Sequence, residues 1–194
     1  MNLAVFASGS GSNFEAIIEA INNGEVRGEI KLLVCDHPGA YAVKRAEKHG
    51  IPVFTAVLKT FASKAAFEEA VLAELRKHEV ELVILAGFMR LIGPVLLSAY
   101  EQRILNIHPS LLPAFPGLDA IGQAFAAGVK VSGVTVHYVD AGMDTGPIIA
   151  QECVKIDESD TIEDLQRNIQ RVEHQLYPQT IQQVIEQIKG SVHS

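Results

Sequence analysis

Short apolar runs alternate with segments of helical periodicity through more than half of the chain. The runs are rich in β-branched residues, which predicts strands, and the segments between them repeat apolar positions every three or four residues, as amphipathic helices do. The predicted strands are NLAVFA, IKLLVCD, IPVF, LVILA and ILNI, and the predicted helices span about 12–21, 42–49 and 64–78, with a short one from Pro94. Strands that are apolar on both faces indicate a parallel sheet covered by helices.

The pattern changes in the last third of the chain. A helix is predicted over 120–127, and the strand-like runs VSGVTVHYV and PIIAQECVKI follow with only AGMDTG between them. This connection is too short for a crossover helix, so the two strands are predicted to pair antiparallel at an edge of the sheet. Asp160 and Glu163 have the spacing of a reciprocal helix cap, and the apolar positions after them predict one long C-terminal helix.

Length and charge narrow the class of protein. A chain of 194 residues with 48% hydrophobic and 20% charged residues is typical of a single globular domain, here predicted over residues 1–194. The 16 Lys and Arg against 23 Asp and Glu give a net charge of -7, and the sequence shows no basic patch. Because this charge repels a nucleic-acid backbone, we expect no nucleic-acid partner.

Cysteine use and the apolar runs bear on location. Cys35 and Cys153 lie far apart in strand-like segments, which predicts two buried thiols in a reducing cytoplasm, without a disulfide or a metal site. The N-terminus shows no basic leader, and the longest apolar stretch, LVILAGFM, is far shorter than a bilayer span. We therefore expect a soluble, cytoplasmic protein that binds neither membranes nor metal ions.

A glycine-rich loop, GSGSN, lies between the first predicted strand and the first predicted helix. Such a loop presents backbone N–H groups and the positive end of a helix dipole to an anion, so Gly11, Ser12 and Asn13 are candidate phosphate contacts. A tight turn with Ser12 capping the helix is one alternative. Dinucleotide binding with Asp36 on a ribose is another, but Phe14 stands where that motif has its third glycine, which favours a single phosphate.

The predicted strand ILNI runs directly into the polar segment NIHPSLLP. Ligands of open α/β sheets bind beyond the carboxyl ends of the parallel strands, where Asn106 and His108 are expected. Residues two apart on a strand point to the same side, so an amide donor and an imidazole can meet one substrate atom. Pro109 favours an extended conformation of His108. A purely structural histidine at the strand end is the alternative.

The loop DAGMDTG adds carboxylates near the end of the chain. One of Asp140 and Asp144 is expected to contact His108. A carboxylate beside an imidazole favours the charged imidazolium and therefore raises the pKa of the histidine toward a value useful for proton donation. The alternatives are a plain turn and a calcium site, although the acids lack the DxDxDG spacing.

The segment AGFMRLIGP carries Arg90 among apolar residues after a central strand. Such a loop suits a flat, mostly apolar ligand with an anionic tail. Core residues with an Arg90 whose charged end reaches solvent are the alternative. His137 and Tyr138 lie on an alternating strand and are interpreted as packing residues.

Four segments occur in the order GSGSN, AGFMRLIGP, NIHPSLLPAFPG and VDAGMDTGP. Together they resemble the phosphoribosylglycinamide formyltransferases of the folate-dependent formyltransferase family, nearly end to end. The resemblance implies an α/β, Rossmann-like, doubly wound and mostly parallel seven-stranded sheet with an antiparallel edge and a long C-terminal helix. It implies formyl transfer from 10-formyltetrahydrofolate to the amine of N1-(5-phosphoribosyl)glycinamide in purine biosynthesis, with no metal.

The resemblance also implies roles for matching residues. Asn106 and His108 would meet the charge on the formyl oxygen, with His108 as proton donor and Asp144 keeping it charged. The implied substrate contacts are Gly11, Ser12, Asn13 and Glu173 for the ribonucleotide, and Lys64, Met89, Arg90, Leu91, Ile92 and Asn106 for the folate. Two positions depart from the family: Ser10 replaces a common asparagine, and Lys64 replaces an arginine of some members without its bidentate fork.

Other functions share parts of this pattern. Formyltetrahydrofolate hydrolase and methionyl-tRNA formyltransferase share the histidine motif, but the first typically adds an N-terminal regulatory domain and the second a C-terminal RNA-binding domain, and we expect neither here. A non-catalytic nucleotide-binding module or an NAD-linked oxidoreductase would use the first loop and leave NIHPS and DAGMDTG unexplained. The sequence leaves the choice between monomer and homodimer open.

Overall fold

Strands and helices follow one another along the chain in the predicted order, with no helix between the last two strands. The structure, a computed structural model, describes residues 1–191, so residues 192–194 of the predicted domain lie outside the described range. The strands are β1 (Asn2–Ala7), β2 (Glu29–Cys35), β3 (Val53–Thr55), β4 (Leu82–Leu85), β5 (Ile104–His108), β6 (Val131–Tyr138) and β7 (Ile148–Lys155). The helices are α1 (Ser12–Asn22), α2 (Tyr41–Lys48), α3 (Lys64–Lys77), α4 (Pro94–Ala99), α5 (Ala120–Ala127) and α6 (Ile162–Ser191). A 3-10 turn at Leu58–Thr60 was not predicted.

All seven strands pair in one sheet, in the order β3-β2-β1-β4-β5-β6-β7. Strands β1 to β5 are parallel, and β6 pairs antiparallel with both β5 and β7. The predicted seven-stranded, mostly parallel sheet with an antiparallel edge is therefore confirmed. The chain runs outward from β1 to β3 and then returns to β4, so the strand order reverses between β1 and β4, where such sheets bind their ligands.

Two apolar layers cover the sheet because neighbouring side chains on a buried strand point to opposite faces. Val5 packs with α1 and α6, whereas Phe6 packs with α3 and α4. Fully burying a side chain such as Phe6 stabilises the fold by about 1.5–3 kcal/mol. Cys35 is buried as predicted, but the prediction for Cys153 is wrong, because this residue is exposed on the edge strand β7.

The N-terminal cap of α6 is one residue later than predicted. The backbone N–H of Asp164 donates to Thr161 Oγ1 at 3.2 Å, and the backbone N–H of Thr161 donates to Asp164 Oδ2 at 2.9 Å. Asp160 instead accepts from the backbone N–H of Asp157. The predicted pair, Asp160 and Glu163, has the same spacing, so spacing alone cannot choose between neighbouring pairs.

Tyr177 fixes α6 against the centre of the sheet. Its side chain is fully buried, and its hydroxyl donates to the carbonyl oxygens of Leu85 and Leu105 at 2.7 and 3.2 Å. Leu85 is the last residue of β4, and Leu105 is the second residue of the neighbouring strand β5. Glu173, one turn earlier on α6, is thereby brought to the ligand-binding edge of the sheet.

Candidate active site

A cavity of about 480 Å³ lies at the carboxyl ends of β4 and β5. Its walls combine the apolar loop after β4 with polar side chains from β5, β6 and α6. Among the predicted site residues, the structure brings nine to this cavity: Asn13, Met89, Arg90, Leu91, Ile92, Asn106, His108, Asp144 and Glu173. A mostly apolar cleft with a few converging polar groups is typical of a small-molecule site.

His108 is buried at the end of β5 and is bracketed by two oxygen acceptors. Its Nε2 lies 2.9 Å from the carbonyl oxygen of Phe115, and its Nδ1 lies 3.5 Å from Asp144 Oδ2. A carbonyl oxygen only accepts, so Nε2 carries the hydrogen of the neutral ring. Nδ1 is then the nitrogen that carries no hydrogen in the neutral ring, and it is the one that faces the Asp144 carboxylate.

Asp144 links two loops beside the histidine. Its backbone is left-handed, with φ 55°, a conformation that aspartate tolerates better than most residues, and its Oδ2 accepts from the backbone N–H of Gly117 at 2.8 Å. Asp140 faces its own loop instead, because its Oδ1 accepts from Gly142 N and Thr145 Oγ1. Of the two candidate acids, Asp144 is the one that meets His108.

His137 is a cavity residue that the sequence did not reveal. It lies directly opposite Asn106 in the register of β5 and β6, and Asn106 Nδ2 is 3.3 Å from His137 Nε2. His137 Nδ1 lies 2.7 Å from the carbonyl oxygen of Tyr138 and donates to it. Burial lowers the pKa of His137, which favours a neutral ring whose Nε2 accepts from the Asn106 amide. The interpretation of His137 as a packing residue is therefore incomplete.

Thr135, next to His137 on the same face of β6, holds the chain that follows His108. Its hydroxyl donates to the carbonyl of Ser110 at 2.7 Å and accepts from the backbone N–H of Leu112 at 3.1 Å. Gln151 on β7 also donates to this hydroxyl at 3.0 Å. The NIHPSLLP segment is thus anchored on the antiparallel edge of the sheet.

The glycine-rich loop ends in a left-handed glycine at the start of α1. Gly11 has φ 71°, and a Cβ at this position would lie 2.9 Å from the Cβ of Ala42. Ser12 is the first residue of the helix, and no side chain caps the helix start, so the alternative of Ser12 as a cap is wrong. Gly11 and Ser12 do not line the cavity, whereas Asn13 does.

Glu173 and Asn13 form a polar pair in the wall of the cavity. Asn13 Nδ2 donates to Glu173 Oε2 at 3.5 Å, and burial raises the pKa of Glu173 to about 7. Within residues 1–191, Asn13 Oδ1 is buried and has no hydrogen-bond partner. A buried acceptor beside a carboxyl group suits a ligand that brings hydroxyl donors, such as a sugar.

Asp36 is paired with Arg90 of the loop that follows β4. Its buried carboxylate forms an ion pair with Arg90, with Oδ2 2.6 Å from Nε, and Oδ1 contacts His37 Nδ1 at 3.0 Å. Burial alone would raise the pKa of Asp36, but hydrogen bonds from Ser8 and His37 and the charges of His37 and Arg90 lower it. A carboxylate engaged in this way is not available for a ribose, which removes the residue on which the dinucleotide alternative depends.

Comparison with known proteins identifies the family. A family model described as "Formyl transferase" matches residues 1–181. The chain belongs to the formyl transferase family. It is 58% identical over 182 residues to "Phosphoribosylglycinamide formyltransferase" of Bacillus subtilis (strain 168), covering 94% of this chain and 93% of that protein. The protein of the same name from Escherichia coli (strain K12) is 37% identical, covering 93% of this chain and 85% of that one.

A solved structure supports the assignment of this chain to the formyl transferase family. The crystal structure of phosphoribosylglycinamide formyltransferase from Bacillus halodurans superposes with a TM-score of 0.93, at 57% identity and with 95% of each chain covered. The family and the fold predicted from the sequence motifs are therefore confirmed.

Lys64 lies apart from the cavity of this formyl transferase. It is the exposed first residue of α3 and is not among the residues that line the cavity. The predicted contact between Lys64 and the folate stays a prediction.

Neither a metal cluster nor a membrane-spanning helix occurs among residues 1–191 of this formyl transferase. Within that range, no group of three or more His, Cys, Asp or Glu side chains is arranged to hold a metal ion. The same residues include no helix that is long and apolar enough to cross a bilayer.

Proposed function

We propose that this formyl transferase moves the formyl group of 10-formyltetrahydrofolate to the amine of N1-(5-phosphoribosyl)glycinamide, giving the N-formyl product and tetrahydrofolate. The observation that carries the proposal is the meeting of Asn106, His108 and Asp144 in one cavity between an apolar loop and a polar pair. The close similarity to the Bacillus subtilis protein of that name supports the choice of acceptor.

The two substrates fit different parts of the site, and the phosphate of the ribonucleotide extends beyond the cavity to the start of α1. The ribonucleotide phosphate binds at Gly11, Ser12 and Asn13, where the N–H groups of the first turn of α1 have no side-chain cap. Its ribose hydroxyls reach the acceptors of Asn13 and Glu173. The folate ring system packs on the loop from Met89 to Ile92, whose apolar side chains line the cavity.

Asn106 and His108 stabilise the charge that develops during the transfer. The amine nitrogen attacks the formyl carbon, a new C–N bond forms, and negative charge builds on the formyl oxygen. The Asn106 amide has two hydrogens, of which His137 accepts one, so the second is left for this oxygen. Nδ1–H of a protonated His108 is the other donor. Each preorganised donor lowers the barrier by about 3 kcal/mol.

Asp144 supports the proton transfers. It faces His108 Nδ1 and favours the charged ring when the formyl oxygen becomes negative. As the intermediate collapses, the bond from the formyl carbon to the folate N10 breaks, and N10 takes the proton that the attacking amine loses, through His108 and Asp144 or through water. The Nδ1 hydrogen is directed at the formyl oxygen, so Asp144 acts on the ring through its charge, across the 3.5 Å from Nδ1 to Oδ2.

A hydrolase would use the same three residues with water as the acceptor, so the assay must distinguish the acceptors. We incubate the purified protein with 10-formyltetrahydrofolate, with and without glycinamide ribonucleotide, and quantify tetrahydrofolate, N-formyl product and formate. Tetrahydrofolate and N-formyl product in equal amounts, formed only with the ribonucleotide, support the proposal. Formate release without the ribonucleotide would favour the hydrolase. Absence of any turnover would favour a non-catalytic nucleotide-binding module.

The proposal also includes the location and the assembly state of the enzyme. The enzyme would act in the cytoplasm on small molecules, as a monomer or a homodimer. Gel filtration with light scattering distinguishes the two assembly states.

A further inference from the structure

Glu68 is a buried carboxylate that no step of the proposed reaction uses. It lies on α3 with 2% of its surface exposed and does not line the cavity. One carboxylate oxygen accepts a short hydrogen bond from the backbone N–H of Gly93, and the other accepts from the backbone N–H of Leu96 at 3.4 Å. A buried carboxylate that reaches two backbone donors of another segment holds that segment in place.

The two donors are N–H groups of the first turn of α4. Gly93 is the N-cap residue of this helix and Leu96 is its third residue, and no side-chain cap hydrogen bond is made by the N-cap residue. In a capping box, two side chains of the helix itself satisfy these same two N–H groups. Here Glu68 satisfies both of them from α3, while Gly93 has no side chain to offer.

Gly93 directly follows the folate loop, Met89–Ile92. The beginning of this loop is held at the carboxyl ends of β1 and β2, because Met89 N donates to Ser8 Oγ at 2.9 Å and Arg90 pairs with Asp36. Glu68 holds the other end through Gly93. The loop is therefore fixed on both sides while Met89 and Leu91 remain exposed at the cavity.

We propose that Glu68 is a positioning residue for the folate: by capping α4 from α3, it holds the loop Met89–Ile92 in the conformation that binds 10-formyltetrahydrofolate. This inference rests on the proposed function. If the loop is in its binding conformation in only a fraction of the molecules, the apparent affinity of the protein for its ligand is reduced by that fraction. Loss of the cap is therefore expected to weaken folate binding more than it slows the chemical step at His108.

Glu68 and the absence of a side chain at position 93 depend on each other. A Cβ at Gly93 would lie 2.6 Å from Glu68 Oε1, so a side chain there would push the carboxylate away from the N–H groups that it caps. The backbone of Gly93 is extended, with φ -100° and ψ -176°, which suits a serine that caps its own helix. Replacing Glu68 by alanine and Gly93 by serine together would move the cap from α3 to the helix itself.

The test compares Glu68→Ala, the double change Glu68→Ala with Gly93→Ser, and Glu69→Ala as a control at an exposed neighbouring position of α3. We measure kcat and the KM for each substrate in the formyl-transfer assay. Glu68→Ala is expected to raise the folate KM about tenfold, with kcat and the ribonucleotide KM changed less than about threefold. The double change is expected to restore most of the folate KM, and Glu69→Ala to change nothing.

Several outcomes would overturn the inference. An unchanged folate KM in an active Glu68→Ala enzyme removes the positioning role and leaves the proposed function intact. Equal losses in kcat and both KM values, without recovery in the double change, indicate a general structural role instead. If Glu68→Ala does not fold, Glu68→Gln replaces it, because it keeps the shape and one acceptor, and the same criteria apply. A wild-type protein without formyl transfer overturns the proposed function, and this inference with it.

Discussion

Asn106 Nδ2 lies 3.3 Å from His137 Nε2, across directly paired positions of β5 and β6. His137 Nδ1 donates to the carbonyl of Tyr138, and the pKa of His137 is lowered by burial. A neutral ring that donates at Nδ1 accepts at Nε2, so the imidazole decides which way the Asn106 amide points. The direction of the second hydrogen of the Asn106 amide is therefore set by the pairing of β5 with β6 and not by the substrate.

The role of His137 can be tested with His137→Phe. The substitution keeps a ring in the buried position and removes the acceptor, so the Asn106 amide loses its fixed orientation. We expect kcat to fall about tenfold with small changes in KM, because one transition-state donor is weakened rather than removed. Tyr138→Phe is the matched control, since it keeps the backbone carbonyl that His137 uses. Equal kcat in His137→Phe and wild type would contradict this role.

Asp144→Asn separates the charge of Asp144 from its structural contact. The asparagine keeps an oxygen for the Gly117 N–H but presents no negative charge to His108. We expect kcat to fall at least about a hundredfold, the size of a general acid–base contribution. Asp140→Asn, in the same loop, is expected to lose less than about tenfold, since Asp140 faces its own turn. Similar losses in both variants would show that the charge near His108 is not what matters.

Glu173 makes the stability of the protein depend on pH. Burial raises its pKa from the ordinary 4.5 to about 7, so the folded protein binds more protons than the unfolded chain between these values. The free energy of unfolding therefore falls as pH rises through this window, by at most about 3 kcal/mol from this residue.

Urea unfolding of wild type and Glu173→Gln at pH 5 and pH 8 checks the sign. The glutamine does not titrate, so its variant is expected to gain stability relative to wild type at pH 8 compared with pH 5. The same pH dependence in both proteins would rule out the raised pKa.

Gly11 and Gly9 provide a matched pair in the glycine-rich loop before α1. A Cβ at Gly11 would meet Ala42 and would require a left-handed backbone, whereas a Cβ at Gly9 has no neighbour within 4 Å. Gly11→Ala is expected to lower the free energy of unfolding by at least about 2 kcal/mol, and Gly9→Ala by less than about 0.5 kcal/mol. Chemical denaturation of both variants measures the difference. Equal stability of the two would show that Gly11 is not under this constraint.

Local sequence patterns predicted much of this molecule. The period of two on β5 predicted that Asn106 and His108 share one side of the sheet, and both line the cavity. The short AGMDTG connection predicted the antiparallel pairing of β6 with β7. Four ordered motifs predicted the family, which the family match confirms. The roles of the individual site residues stay predictions.

The parts that the sequence did not predict depend on contacts between distant segments. His137 reaches Asn106 only through the register of β6 on β5, and no local pattern fixes a register between strands so far apart in the chain. The pair of Asp36 with Arg90 and the cap from Glu68 on α4 likewise join residues brought together by the fold. Two neighbouring residue pairs had capping-box spacing before α6, so the helix start was misplaced by one residue.

The side chains around His108 are proposed to carry out formyl transfer to the ribonucleotide amine. The turnover number of His108→Ala, measured with saturating 10-formyltetrahydrofolate and glycinamide ribonucleotide and with folding verified by thermal unfolding, tests it most directly. We expect a kcat at least about a hundredfold below that of the wild-type enzyme. A folded His108→Ala protein with near wild-type turnover would contradict it.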